Sequence, residues 1–154
     1  MIMKRQQIYS KNSAFTLIEL LVVISIMGIL LSLSIFGMQS ARQASRDAKR
    51  KSDLEQIRSG LEMFRADCNK YYIGTSLPST LIGIASYGSN CLASNIYIST
   101  TPTDPSPTTH EYVYYSDGTT YQICAALEQG GTTVSCGSVS NCGGTTCNYR
   151  VTNP

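Results

Sequence analysis

The sequence predicts an α+β fold: one long N-terminal helix, transmembrane and then amphipathic, packed on a small, disulfide-stapled antiparallel β-sheet. Three observations lead there. An apolar run over residues 15–36 passes, without a proline, into a segment whose apolar residues recur at three- and four-residue steps. Nine of the ten tyrosines and nine of the twelve glycines lie beyond residue 70, a bias toward short strands and turns. All six cysteines also follow the helix. The 154 residues allow one modest domain plus its ends. Charged residues make up only 14%, well below the usual share of roughly a quarter, which already argues against an ordinary cytosolic enzyme. A net charge of +2 is too small to argue for a nucleic-acid partner.

Residues 1–14 form a basic leader with Lys4, Arg5, Lys11 and no acid. Residues 15–36 follow, with sixteen apolar residues of 22 and Glu19 the single charge. As a helix this run is roughly 33 Å long, enough to cross a bilayer core of roughly 30 Å. A secretory signal has a shorter apolar region, about 7–15 residues, and Gln39 and Arg42 spoil the small-residue cleavage sites at Ala41 and Ala44. The run is therefore read as an anchor that stays with the chain. Residues 37–67 continue the helix as its amphipathic half, on the order of 80 Å in all from Phe15 to Asp67. Ala41, Ala44, Ala48, Leu54, Ile57, Leu61 and Phe64 make one stripe, expected to pack on the chain's own C-terminal domain. Asp47 with Lys51 and Arg58 with Glu62 are spaced for i,i+4 ion pairs. Gly60 is an isolated cost of about 1 kcal/mol against alanine.

Residues 68–154 form the third block, a loop and β-hairpin domain. Asp117-Gly118 between Glu111–Ser116 and Thr119–Leu127 is a hairpin signal. A two-residue loop pairs Ser116 with Thr119, Tyr114 with Tyr121 and Tyr112 with Ile123. That puts Tyr112, Tyr114, Tyr121 and Ile123 on the face toward the helix. Residues 101–107 read as a rigid proline-rich connector, and residues 77–98 stay ambiguous.

Cys68, Cys91, Cys124, Cys136, Cys142 and Cys147 are an even set in a small domain, the pattern of disulfides in an oxidising compartment. No C-x-x-C pair exists and His110 is the lone histidine, so no metal site is expected. The pairing adopted is Cys68 with Cys91 and the other four among themselves. Counting bases near the helix ends points the other way. Five fall between Arg42 and Lys51 against three in the leader, which would keep the domain in the cytoplasm. The cysteines outweigh that count, because reduced thiols would staple nothing.

Lys11-Asn-Ser-Ala14, Phe15-Thr-Leu-Ile-Glu19 and the apolar run resemble the N-terminal signal of type IV pilins and type II secretion pseudopilins. The likeness is close from Ser13 to Phe36 and looser from Arg42 to Tyr72, where Ser52-Asp-Leu-Glu-Gln-Ile and Leu61-Glu-Met-Phe look like a major pseudopilin. The resemblance implies that a prepilin peptidase cuts between Ala14 and Phe15 and methylates the new amine. It also implies that Glu19 neutralises the amine of a neighbouring subunit during assembly. The other reading of Glu19 is local: it snorkels to the interface or complements the helix dipole. The family usually has glycine before the cut, where Ala14 stands here, and often a proline near the outer end of the run, where Phe36-Gly37 stands. Calcium is common in such domains, but Asp104 and Asp117 are too few to transfer a site.

The expected function is a structural filament subunit, with a minor tip-located adhesin as the alternative. Its implied partners are the peptidase, further copies of itself, an inner-membrane assembly platform and membrane lipid. The C-terminal domain is expected outside the cytoplasm. An enzyme is not expected: one histidine, no triad spacing, no glycine-rich phosphate loop and no paired-carboxylate motif are present.

Overall fold

The computed structural model describes residues 15–154; the leader, with Ala14 and Lys11, lies outside the described residues. Helix α1 runs Leu17–Cys68. Strands β1 (Leu81–Ile82) and β2 (Ile96–Ile98) pair antiparallel, and β3 (Val113–Ser116), β4 (Tyr121–Ala125) and β5 (Tyr149–Thr152) form a second sheet in the order β3-β4-β5. The fold is α+β, as the sequence predicts. The chain divides into two units between Ser40 and Ala41.

In the first unit the side chains of residues 15–35 are all exposed, and the most apolar stretch has mean hydropathy 2.6 with none of it buried. The segment is long and apolar enough to cross a membrane. Its serines do not bring free hydroxyls into that stretch. Ser25 donates to the Val22 carbonyl, Ser32 to Ile29 and Ser34 to Leu30, each at 2.8–2.9 Å within its own helix turn.

In the second unit α1 presents Leu54, Ile57, Leu61 and Phe64, each at most 1% exposed, to Tyr71, Leu81, Ile98, Tyr114, Tyr121, Ile123 and Val151. Each such aliphatic or aromatic burial stabilises by roughly 1.5–3 kcal/mol. The alanine half of the stripe does not hold: Ala41, Ala44 and Ala48 are exposed, and the buried positions there are Asp47, Arg50 and Asp53. Alanine has too little surface to draw a face inward when charged neighbours find buried partners. Gly60 is no mere cost either. A Cβ there would lie 2.3 Å from the Ile98 side chain, so glycine lets β2 sit against the helix. The helix stops where Asn69 turns left-handed, at φ 59°, with its N–H donating to the Arg65 carbonyl.

The hairpin faces are as expected, with Tyr114, Tyr121 and Ile123 buried, but the register differs. Ser116 pairs with Tyr121 and Tyr114 with Ile123, so the loop spans four residues. Each side chain keeps its face because the slip is two residues, one full strand period. The Asp117 carboxylate causes it by accepting N–H bonds from Thr119 (2.8 Å) and Thr120 (2.7 Å) and both their hydroxyls. Those bonds, Thr120 foremost, draw the Asp117 carboxyl down to about 2. Gly118 supplies the φ of 94° the turn needs.

The disulfides are Cys68–Cys91, Cys124–Cys136 and Cys142–Cys147. The first ties the last residue of α1 to the β1–β2 loop. The other two, with Ala126, fill a second small core on the outer face of the sheet, edged by Val113 and Val134. With half-cystines supplying most of its buried side chains, that core depends on covalent bonds where burial is scarce.

Candidate functional site: the helix start and the ionic cluster

At the start of α1, Thr16 and Glu19 form a capping box. The Thr16 N–H donates to Glu19 Oε2 at 2.9 Å, its hydroxyl donates to the same oxygen at 2.7 Å, and the Glu19 N–H reaches Thr16 Oγ1 at 3.4 Å. Phe15, the first described residue, is 84% exposed. Thr-x-x-Glu at the edge of an apolar run is a readable capping signal, and the sequence reading of Glu19 passed over it. The same carboxylate can therefore fix the helix start within one chain. A group charged and placed at a helix N-terminus can also face a cation beyond it.

The second unit holds a cluster that spacing rules did not foresee. Arg50 is fully buried. Its Nε and Nη2 grip the Asp104 carboxylate at 2.8 and 3.1 Å, while Nη1 donates to Asp47 Oδ1 at 2.8 Å and Glu128 Oε1 at 2.9 Å. Arg46 holds Glu128 by two bonds of 2.6 Å. Asp47 also accepts the N–H groups of Glu128 and Gln129, both at 2.9 Å. The cluster thus fastens the 101–107 connector, through Asp104, and the loop after β4, through Glu128, to one turn of helix. Burial opposes the charge on Arg50, but its bonds to Asp104, Glu128 and Asp47 outweigh that and raise its pKa. Arg46 pulls the Glu128 carboxyl down to about 2 against its burial, with Arg50 adding to the effect.

The expected i,i+4 pairs are replaced. Asp47 pairs with Arg50 rather than Lys51, Lys49 with Asp53 at 2.7 Å, and Arg58 with Glu55 at 3.5 Å. The other helix acids accept phenols from the domain: Tyr112 donates to Asp53 at 2.9 Å, Tyr71 and Tyr121 to Glu62 at 3.1 and 3.2 Å, and Tyr97 to Asp67 at 2.8 Å. Burial first, and these carboxylates second, raise the pKa values of Tyr112 and Tyr121; burial likewise leads the rise at Tyr71, Tyr97 and Tyr114. A raised pKa favours the protonated phenol in the native state. That contribution is complete below the ordinary value of 10 and lost as pH climbs through the folded values. The domain is expected to unfold cooperatively above pH 10, with phenolate absorbance rising together with loss of tyrosine near-ultraviolet dichroism. Phenols that ionise one by one, with the dichroism intact, would show that these bonds carry no stability.

Asp104 and Asp117, the loop aspartates, are committed to Arg50 and to their own turn. Among the described residues no group of three His, Cys, Asp or Glu side chains is placed to hold a metal.

The model of the prokaryotic N-terminal methylation motif matches residues 9–35. Type II secretion system core protein G of Aeromonas hydrophila is 36% identical over 61 residues, 40% of this chain and 43% of that protein. The protein of the same name from Pectobacterium carotovorum subsp. carotovorum is 34% identical over 74 residues, 48% of this chain and 44% of that protein. The chain thus aligns with less than half the length of these curated relatives. No solved structure matches it. The opening residues thus match the methylation motif, and up to 48% of the chain is similar to a protein named type II secretion system core protein G.

Proposed function

We propose that this chain is a structural subunit of a type II secretion pseudopilus or a similar type IV pilus-like filament. One observation carries the reading: the methylation motif, residues 9–35, coincides with an apolar helix that nothing in the described chain covers. Residues 1–14 are then a leader, 15–36 the membrane and polymerisation half of the helix, 37–67 its amphipathic half, and 68–154 a domain outside the cytoplasm. A prepilin peptidase cuts between Ala14 and Phe15, leaving an N-methylated amine. An assembly platform in the inner membrane draws the subunit out of lipid, and other copies replace the lipid around residues 15–35. Glu19 sets the axial register by neutralising a neighbour's amine.

The outward orientation rests on the disulfides, since the base count acts on the inserting chain before its ion pairs form. Of the bases between Arg42 and Lys51, Arg46, Lys49 and Arg50 are matched by Asp47, Asp53, Asp104 and Glu128. In the folded subunit the positive segment is nearly neutral. The disulfides point to an oxidising compartment as well.

Processing is the direct test. Mass spectrometry of membrane-extracted protein is expected to find a mature chain starting at N-methylated Phe15, without the bases Lys4, Arg5 and Lys11. An intact Met1, or a start after Ala41 or Ala44, would remove the filament reading.

A further inference from the structure

Of the ten acidic side chains, Glu111 stands apart: it is exposed, and among the described residues no hydrogen bond or ion pair reaches its carboxylate. Two bases are in the complementary position. Arg65 donates from Nη1 to the Tyr71 hydroxyl at 2.8 Å, with its guanidinium carbon 4.9 Å from the centre of that ring. The Lys70 ammonium lies 4.5 Å from the centre of the Tyr87 ring. Neither base forms an ion pair among the described residues; the partners of both are neutral phenol rings. A ring face attracts a cation without neutralising it.

Arg65 and Lys70 line one cavity of about 280 Å³ at the turn end of the β3–β4 hairpin, with the exposed Ile73 and Thr119 beside them. The acid of that cavity, Asp117, is already held by the N–H groups and hydroxyls of Thr119 and Thr120. Two bases and one acid leave the lining with a net positive charge. Glu111 lies at the other end of the strand. Six residues separate it from Asp117, roughly 20 Å of extended chain. The helix gives a similar measure. Tyr112 bonds Asp53 and Tyr71 bonds Arg65, twelve residues and roughly 18 Å further along α1. Glu111 therefore does not reach the cavity of its own chain.

We infer that the cavity between Arg65 and Lys70 takes the Glu111 carboxylate of a second copy of the chain, a contact that rests on the filament reading. Charge complementarity names the occupant: bases without an acid stand at one end of the domain, and an acid without a base at the other. Patches at opposite ends make a heterologous contact, which propagates head to tail instead of closing into a two-fold pair. In the cavity the carboxylate exchanges water for charge-assisted bonds from both bases. The contact orients one C-terminal domain against the next, and salt weakens it as it does any pairing of exposed charges.

The test uses filaments sheared from cells that make the full chain. A carbodiimide joins a carboxylate to an amine, with loss of water to the reagent, only where the two touch. The expected product is a ladder of covalent dimers, trimers and longer chains on a denaturing gel, in which mass spectrometry finds an amide between Glu111 and Lys70. Glu111→Lys and Lys70→Glu are each expected to lower filament yield roughly tenfold or more, because like charges then meet in the cavity. The two substitutions together are expected to restore most of the yield. Tyrosine near-ultraviolet dichroism equal to the parent's shows that each variant folds; if one misfolds, the amide decides alone. Parent filaments without that amide, the amide confined to monomer, or a double variant no better than the single ones would each overturn the contact and leave the filament reading standing. A parent chain that forms no filaments would remove that reading and the contact with it.

Discussion

Glu19→Ala is expected to insert in the membrane and accumulate there while filaments fall roughly tenfold or more below the parent. Removing a charge eases entry into lipid, so a loss of filaments cannot be laid to failed insertion. It would leave the neighbouring subunit's amine buried without its counter-charge, the situation in which a broken ion pair costs most. The capping box supplies a rival explanation, since Glu19 also accepts two bonds from Thr16. Glu19→Gln separates the two. Glutamine keeps the box, which accepts Glu or Gln at that position, but carries no charge. Charge pairing predicts that Glu19→Gln fails like Glu19→Ala; capping alone predicts that it assembles normally. Counting sheared filaments against membrane-bound monomer reads the difference. Parent-level filaments from Glu19→Gln would end the pairing account and leave the cap as the residue's role.

Arg50→Met is expected to destabilise the C-terminal domain by about 3–5 kcal/mol at neutral pH. The substitution is nearly isosteric along the stem, so the packing change is small. What remains is three carboxylates, Asp47, Asp104 and Glu128, converging without the guanidinium that each touches. Urea unfolding of the detergent-solubilised chain, followed by tyrosine dichroism, measures the loss. In the parent, Glu128 is held at about 2, so its contribution is full above the ordinary value of 4.5 and drains away as pH falls toward 2. In Arg50→Met, Arg46 still holds Glu128, so the same acid dependence should remain on top of the lost stability. Adding Asp104→Leu should recover part of it at neutral pH. A variant as stable as the parent at neutral pH would show that the cluster sets geometry without contributing stability.

The helix start was legible because it is local. Phe15, Glu19 and the apolar run are contiguous, and lipid sets one simple requirement, about twenty apolar residues in a row. The Thr16–Glu19 box is equally local, a Thr-x-x-Glu spacing within four residues. The ionic cluster was not legible. Arg50 meets Asp104 and Glu128 across 54 and 78 residues, and no periodicity encodes such partners. Spacing rules instead favoured Asp47 with Lys51, a surface pair that a buried arginine displaces.

Sequence by itself determined the long helix, the apolar run that opens it, the apolar stripe from Leu54 to Phe64 and the two faces of the hairpin. These rest on periods of 3.6 and 2 and on composition, which act over a few residues at a time. Tertiary structure decided the rest. It chose the four-residue turn through the Asp117 carboxylate, brought β5 beside β4, made Gly60 the contact point for Ile98, and settled the cysteine pairing as Cys68–Cys91, Cys124–Cys136 and Cys142–Cys147. It also buried Asp47, Arg50 and Asp53 where alanines seemed the better face. The reason is physical: a charge can leave water only when distant parts of the chain supply its partners together, and that condition exists only in the folded domain.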